Sequence, residues 1–291
     1  MRRRDVMLAP VASLALTAKP KRFRFVHFTD THIQPELRAT EGTRQCFDAI
    51  RKTGADFALA GGDLVMDADA HGLPRAKQLY DLYRDAVKRL EMPVYSVPGN
   101  HDVFGTAPKS GVAPTDPLYN KKMFEERIGP CFSSFDHKGW HFILLDSIGL
   151  NAERQFVCEI SDQQLDWLRR DLEKTGRQTP IVAMTHVPLL SSVMQIVPDP
   201  WKSPSTYLVQ NARRVLDLFS PYQLRAVLQG HTHIRENVVY NGCQFLTSGA
   251  VCGNWWKGSR LGHPEGFALL TVEGPDVRWE YRTYGFQADP A

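Results

Sequence analysis

The stretch Val94-Tyr95-Ser96-Val97-Pro98-Gly99-Asn100-His101-Asp102 opens as a short buried strand and closes on an amide, an imidazole and a carboxylate. The break falls at Pro98-Gly99, where proline ends the ladder and glycine lets the backbone turn sharply. Working outward, four more apolar runs end in the same way. Residues 23–28 run out into Thr29-Asp30-Thr31-His32, and 57–60 into Gly61-Gly62-Asp63. Residues 181–184 reach Thr185-His186-Val187-Pro188, and 226–228 reach Gly230-His231-Thr232-His233. A lone histidine at a strand end is usually a solvated or core residue, and a lone Gly-Asn-His-Asp is an ordinary turn. Five clusters at five strand ends, all of metal-ligand type, are not explained as independent turns.

Helical periodicity fills the gaps at 43–52, 74–90, 118–127, 162–174 and 207–219, with Ser161 as an N-cap and Gly176 as a stop. A further apolar run at 142–145 reads as a strand. Strand–helix alternation predicts an α/β layered fold, and ligands in such folds bind at the carboxyl ends of the strands. Residues 135–147 read as a hairpin turning at Lys138-Gly139, and 238–247 as one turning at Asn241-Gly242. The runs 268–272 and 277–282 have no helix between them, so the chain finishes antiparallel. Residues 19–291 are expected to form one domain, with Pro/Gly-rich excursions at 105–117 and 191–205 of a length typical of binding loops.

The 291 residues are 43% hydrophobic and 23% charged, with a net charge of +3. That excludes disorder, collagen, coiled coil and a polytopic membrane protein. No basic stripe with interleaved aromatics appears, which argues against a nucleic-acid partner, so any attraction for anions must be built locally. The front reads Met1-Arg2-Arg3-Arg4-Asp5, then an apolar run over 6–18. It has the form of a secretory signal, and the run is too short to span a bilayer. The paired arginines resemble a bacterial twin-arginine leader over 1–18, which implies a periplasmic or exported protein. The alternative is an N-terminal arm of a cytoplasmic one. Cys46, Cys131, Cys158, Cys243 and Cys252 form no CxxC pair and read as buried thiols, or as one or two bridges with a thiol left over.

His27 reads as packed within a strand, and His137 and His141 as surface residues beside a hairpin turn. His71, after Asp67-Ala68-Asp69, either edges the pocket or is solvated, and His263 lies in a late loop. Asn254-Trp255-Trp256-Lys257-Gly258 offers aromatics that could stack on a base or substrate arm, or cap the core; Trp201 is a second such candidate.

The order Asp-x-His, Gly-Asp, Gly-Asn-His-Asp, His and Gly-His-x-His, spread over 24–235, resembles the calcineurin-like metallophosphoesterase superfamily. Within it, the pattern is similar to bacterial class III cyclic-nucleotide phosphodiesterases. It departs from purple acid phosphatases, because Met66 stands where their tyrosinate ligand would be. The resemblance implies a four-layer α/β/β/α sandwich of two mixed sheets flanked by helices. It implies one metal held by Asp30, His32 and His233, a second held by Asn100, His186 and His231, and Asp63 bridging both. His101 would then serve as leaving-group acid, with Asp102 orienting it. Imidazole with carboxylate and no thiolate suits Mn, Fe or Zn. The implied reaction is attack of a bridging hydroxide on a small phosphate ester, with phosphodiesters favoured. A phosphomonoesterase (a protein Ser/Thr phosphatase or a nucleotidase) is the alternative. A non-catalytic scaffold of the same fold is a third reading, opposed by the complete ligand set. Oligomeric state is left open.

Overall fold

Phe25 and Val26 point to opposite faces of one strand, and both are fully buried. A strand covered on both faces belongs inside a layered fold, which is why its sequence is continuously apolar. The structure is a computed structural model that describes residues 22–196 and 204–290. The expected leader at 1–18 and Trp201 lie outside these residues.

Strands β1 (Arg22–Phe28), β2 (Phe57–Ala60) and β3 (Val94–Ser96) alternate with helices α1 (Ala39–Arg51) and α2 (Leu73–Val87). Helix α3 (Lys121–Arg127) leads into β4 (Ser133–His137) and β5 (Trp140–Leu145), then the small pair β6 (Ile148–Leu150) and β7 (Phe156–Cys158). Next come α4 (Asp162–Thr175), β8 (Pro180–Thr185), the single turns α5 (Val193–Ile196) and α6 (Pro204–Tyr207), and α7 (Ala212–Phe219). Strands β9 (Gln223–Gln229), β10 (Arg235–Tyr240), β11 (Cys243–Ser248), β12 (Phe267–Glu273) and β13 (Asp276–Arg282) complete the chain.

One sheet has the order β13-β12-β1-β2-β3 and the other β10-β11-β9-β8-β5-β4. Both are mixed: β1-β2-β3 and β5-β8-β9-β11 run parallel, with antiparallel strands at the flanks. Strand β1 lies between β2 and the late strand β12, with Phe25 opposite Leu270. Phe25, Phe57, Phe142, Met184 and Leu228 fill the space between the sheets. Outside the first sheet, Phe47, Ile50 and Tyr80 of α1 and α2 cover Val26, Phe28 and Ala58. Outside the second, Leu165, Leu168, Val215 and Phe219 of α4 and α7 cover Ile143, Ile181 and Val227. This is the expected α/β/β/α sandwich, and the parallel strands of both sheets deliver their carboxyl ends to one rim.

Several local expectations need correction. The helix expected over 207–219 is interrupted between Tyr207 and Ala212. There the Asn211 amide is spent on the neighbouring loop, accepting from Ile160 N at 3.0 Å and donating to Ile160 O at 2.7 Å. The excursion at 105–117 includes a 3₁₀ turn, Pro108–Ser110, and Arg154 ties the loop down by donating to Gly105 O and Val112 O. Both hairpin turns take positive φ at both central residues (48° and 87° at Lys138-Gly139, 49° and 75° at Asn241-Gly242), as a type I′ turn requires. The five cysteines are all buried and unpaired. Among the described residues no helix is long and apolar enough to cross a membrane.

His141 is not a surface residue. It is buried, with Nδ1 at 2.7 Å from Asp136 Oδ1 and Nε2 at 2.8 Å from Asp171 Oδ2, tying the β4–β5 hairpin to α4. Burial alone would lower its pKa, but Asp171 and Asp136 more than reverse this and leave it raised above 6.5. A histidine with a raised folded-state pKa contributes stability that is complete below the unfolded value and lost as pH rises through the folded one. His141→Asn should therefore cost about 1–2 kcal/mol at pH 6 and much less at pH 9. Thermal melts at the two pH values check this; equal losses would mean that the ring acts by shape alone.

Candidate metal centre

Asp30 and His32 follow β1, Asp63 follows β2, and Asn100 and His101 follow β3. His186 follows β8, while His231 and His233 follow β9. All seven residues expected as ligands therefore meet at the rim where the two sheets converge. Five of them, Asp30, His32, Asp63, His231 and His233, have positive φ, between 41° and 72°. Non-glycine residues rarely adopt this conformation, and it collects at functional sites. The approach is close enough to require glycine beside the cluster. A Cβ on Gly99 would lie 2.1 Å from Asp63 Oδ1, and one on Gly230 would lie 2.3 Å from Thr29 Oγ1.

Asp63 is the centre. Its Oδ1 accepts from His101 N–H at 2.8 Å, while Oδ2 lies 3.5 Å from His32 Nε2 and 3.2 Å from His186 Nε2. Two clusters of metal-binding side-chain types share it, His32 with His101 on one side and His186 with His231 on the other. Beyond His32, Nε2 of His233 is 3.1 Å from His32 Nε2 and 3.3 Å from Asp30 Oδ1. Spacings near 3 Å are those that two ligands of one first-row cation keep when each is about 2.1 Å from it.

Backbone carbonyls fix which nitrogen faces the cluster. His186 Nδ1 donates to Gly61 O at 2.8 Å and His233 Nδ1 to Gly253 O at 2.6 Å, which turns both Nε2 atoms inward. His231 is reversed, its Nε2 donating to Thr206 O at 2.8 Å, so Nδ1 is the free nitrogen. Fixing a ligand tautomer through the far nitrogen is the usual arrangement around a metal. Asn100 Oδ1 is buried without a hydrogen-bond partner, and His186 Nε2 faces only the Asp63 carboxylate at 3.2 Å. Such atoms are costly unless something else satisfies them, and a cation would. The donor set and the orphaned Asn100 oxygen fit divalent metal cations. Cys252 does not join the set, because its Sγ lies 3.8 Å from His233 Nδ1, on the edge of the ring already bonded to Gly253.

The chain's own groups set the charges. Burial, with neighbouring imidazoles, pulls His32 down to about 3 and His231 down to about 4, which keeps their lone pairs free. Burial opposes ionisation of Asp63, but His186, His101 and His32 more than offset it and hold the carboxyl well below its usual range. His101 is also pulled down by burial, yet Asp63, Asp67 and Asp69 raise it to about 9.

That last result corrects one expected role. Asp102 does not orient His101. Its buried carboxylate accepts from the backbone N–H groups of Leu64, Val65 and Gly99 at 2.9, 3.1 and 2.8 Å, stitching the loop after β2 to the loop after β3. His101 Nδ1 instead meets Asp67 Oδ1 at 2.6 Å, with Asp69 Oδ1 at 3.9 Å. Asp67 was visible only as part of an acidic turn before His71. It reaches His101 because it takes φ 52°, and because Ala68 N–H bonds to His101 O. His71 is exposed, His27 is buried with Nδ1 on Ser248 Oγ, and His263 accepts from Arg235 N–H. The tryptophan pair divides. Trp256 is buried against Phe286 and donates Nε1–H to His32 O at 3.0 Å, while the partly exposed Trp255 lies against His233 with ring centroids 4.5 Å apart.

Asp102→Asn would place an amide donor among three backbone donors. It should lower unfolding stability by about 2–3 kcal/mol, whereas Asp67→Asn should leave stability within about 0.5 kcal/mol. Urea titrations of the two variants decide between these roles; the reverse ranking would return the orienting role to Asp102.

Residues 23–235 match the family pattern described as calcineurin-like phosphoesterase. A Vibrio vulnificus protein named 3',5'-cyclic adenosine monophosphate phosphodiesterase CpdA is 25% identical over 271 residues, covering 88% of this chain and 84% of its own length. An Arcobacter nitrofigilis protein named probable glycerophosphodiester phosphodiesterase GpdQ is 22% identical over 279 residues, covering 89% and 88%. Among solved structures, a dimetal phosphatase from Danio rerio superposes with a TM-score of 0.63 at 15% identity, covering 90% of this chain and 96% of that one, which shows the shared fold. With strand order, rim and ligand set in place, the chain belongs to the calcineurin-like phosphoesterase family and is a phosphoric ester hydrolase.

Proposed function

We propose that the rim cluster holds two divalent cations and hydrolyses phosphodiesters. The observation that carries this reading is Asp63, whose Oδ1 is occupied by His101 N–H while Oδ2 stands between His32 and His186. One carboxylate oxygen placed between two sets of imidazoles is what a shared ligand needs. Asp30, His32 and His233 would complete one set, and Asn100, His186 and His231 the other. When bound, such a pair supplies Lewis-acid polarisation of phosphoryl oxygens and a water that ionises near neutral pH.

The chain's own contribution is a proton. His101 Nε2 lies 4.0 Å from Asp63 Oδ2, at the edge of the cluster, with Nδ1 locked onto Asp67. Nε2–H can therefore be delivered to the departing alkoxide, a step worth about 10²–10⁴-fold. Two features favour a diester over a monoester. Asp67 and Asp69 flank the acid and oppose a dianion more than a monoanion. The relatives described above carry phosphodiesterase names, one for a cyclic nucleotide and one, as probable, for glycerophosphodiesters.

The test is hydrolysis of bis-p-nitrophenyl phosphate against p-nitrophenyl phosphate, with metal-stripped protein resupplied with Mn²⁺, Fe²⁺ or Zn²⁺. Faster metal-dependent cleavage of the diester is expected, and a preference for the monoester would overturn the reading in favour of a phosphatase. Asp63→Asn should lose metal and activity together, measured by elemental analysis and turnover. His101→Ala should keep its metal and lose about 10²–10⁴-fold in kcat, most on esters with poor leaving groups. Asp67→Asn removes an influence that raises the His101 pKa, so the alkaline limb of the kcat–pH profile should move to lower pH.

A further inference from the structure

Residues 253–263 build a wall beside the cluster that the proposed reaction does not use. Trp255 and Trp256 take φ 50° and 67° in succession, which sends one indole into the core and the other toward the imidazoles. Trp255 sits 4.5 Å from the His233 ring and 6.1 Å from that of His32, centroid to centroid. The His32 ring in turn is 4.7 Å from that of His101, so one imidazole, His32, neighbours both Trp255 and the proposed acid. The Arg260 guanidinium lies over Trp255, 5.2 Å from the ring centroid.

Arg260 is poorly satisfied and firmly held. Its Nη1 reaches Asn254 Oδ1 only at 3.5 Å, its Nε has no partner, and among the described residues no carboxylate forms an ion pair with it. The backbone of Arg260 exchanges both hydrogen bonds with His263 at 2.9 and 2.8 Å, across a two-residue turn of Leu261 and Gly262 with φ 47° and 82°. A two-residue turn with positive φ at both positions is the tightest hairpin available, and it presents the side chain rigidly. A partly exposed guanidinium, backed by an indole and short of acceptors, is a platform for a planar group with hydrogen-bonding edges.

We propose that Trp255 and Arg260 determine specificity by reading the alcohol arm of the ester, and that the arm they select is a nucleoside, held by its base. The inference rests on the phosphodiesterase reading and deepens it. A flexible polyol arm offers the guanidinium no face to stack on. An arm carrying a second anion must pass Asp67 and Asp69 beside the acid. A neutral planar base meets neither objection.

The experiment compares kcat/KM for adenosine 3',5'-cyclic phosphate and for glycerophosphocholine in the metal-loaded wild type, Arg260→Ala, Arg260→Lys and Trp255→Leu, with metal content and thermal midpoint measured for each. The ratio of nucleotide to glycerol ester should fall about tenfold in Arg260→Ala and Trp255→Leu. Lysine should not restore it, and metal content and midpoint should hold. An unchanged ratio in Arg260→Ala overturns the proposal. So does full rescue by lysine, which would mean that positive charge alone is read and not the plane of the guanidinium. A wild type that cleaves glycerophosphocholine and not the nucleotide overturns this inference while leaving the phosphodiesterase reading intact. Turnover of a monoester with neither diester cleaved removes both.

Discussion

Asp30 and Asp63 are carboxylates with almost no solvent exposure, placed where the strand ends of two sheets converge. A buried carboxylate is tolerated only when its charge and lone pairs are compensated. Asp30 accepts from Thr29 Oγ1–H and from His231 N–H, and so holds the end of β1 against the end of β9. Asp63 accepts from His101 N–H, and so holds β2 against the loop after β3. The imidazoles of His32, His186 and His233 supply the rest. The seam between the sheets is therefore closed by the same atoms that would bind cations, and the rim cannot open without exposing two compensated charges.

Around that seam the chain accepts strain. Five of the expected ligand positions carry positive φ, each costing roughly 1–3 kcal/mol in a non-glycine residue, and Asn100 Oδ1 remains unbonded. These costs are offset elsewhere, by a core between the sheets rich in phenylalanine and by two outer cores under the helices. Asp102 belongs to this supporting set, binding three backbone donors from two loops. It fixes the loops on which Asp63 and His101 stand. Asp67, just before the 3₁₀ turn Ala68–Ala70, fixes the imidazole itself.

Much of this was legible because burial on both faces makes a strand continuously apolar, so polar residues at its end stand out. That is how the strand-end clusters around Asp30, Asp63, Asn100, His186 and His231 stand out, while the choice of ligands among them comes from the family resemblance. Pairings that depend on backbone turns were not legible. Asp102 is adjacent to His101 in sequence and was given the orienting role, yet a turn carries its carboxylate to backbone amides while Asp67 swings in from 34 residues away. Trp255 and Trp256 are chemically alike, and only their left-handed conformations send one inward and the other to the cluster. His141 lies beside a polar hairpin turn, and nothing local reveals that α4 will cover it with Asp171. In each case the deciding partner is distant in sequence or chosen by a dihedral angle.

Strand β1 supplies Asp30 and His32, and its ladder is shared between β2 on one side and β12 on the other. During synthesis β2 emerges soon after β1, whereas β12 emerges more than two hundred residues later. Until then one edge of β1 stays open, and Val251 N–H and Cys252 N–H, which bond to the carbonyls of Thr29 and Asp30, are also missing. The nascent chain thus carries an unfinished rim until β12 has been made, with an apolar ladder edge of the kind that recruits other chains. Pairing over such long separations is slow. The first strand made waits for nearly the last, and the geometry of the site is settled only when the C-terminal hairpin docks.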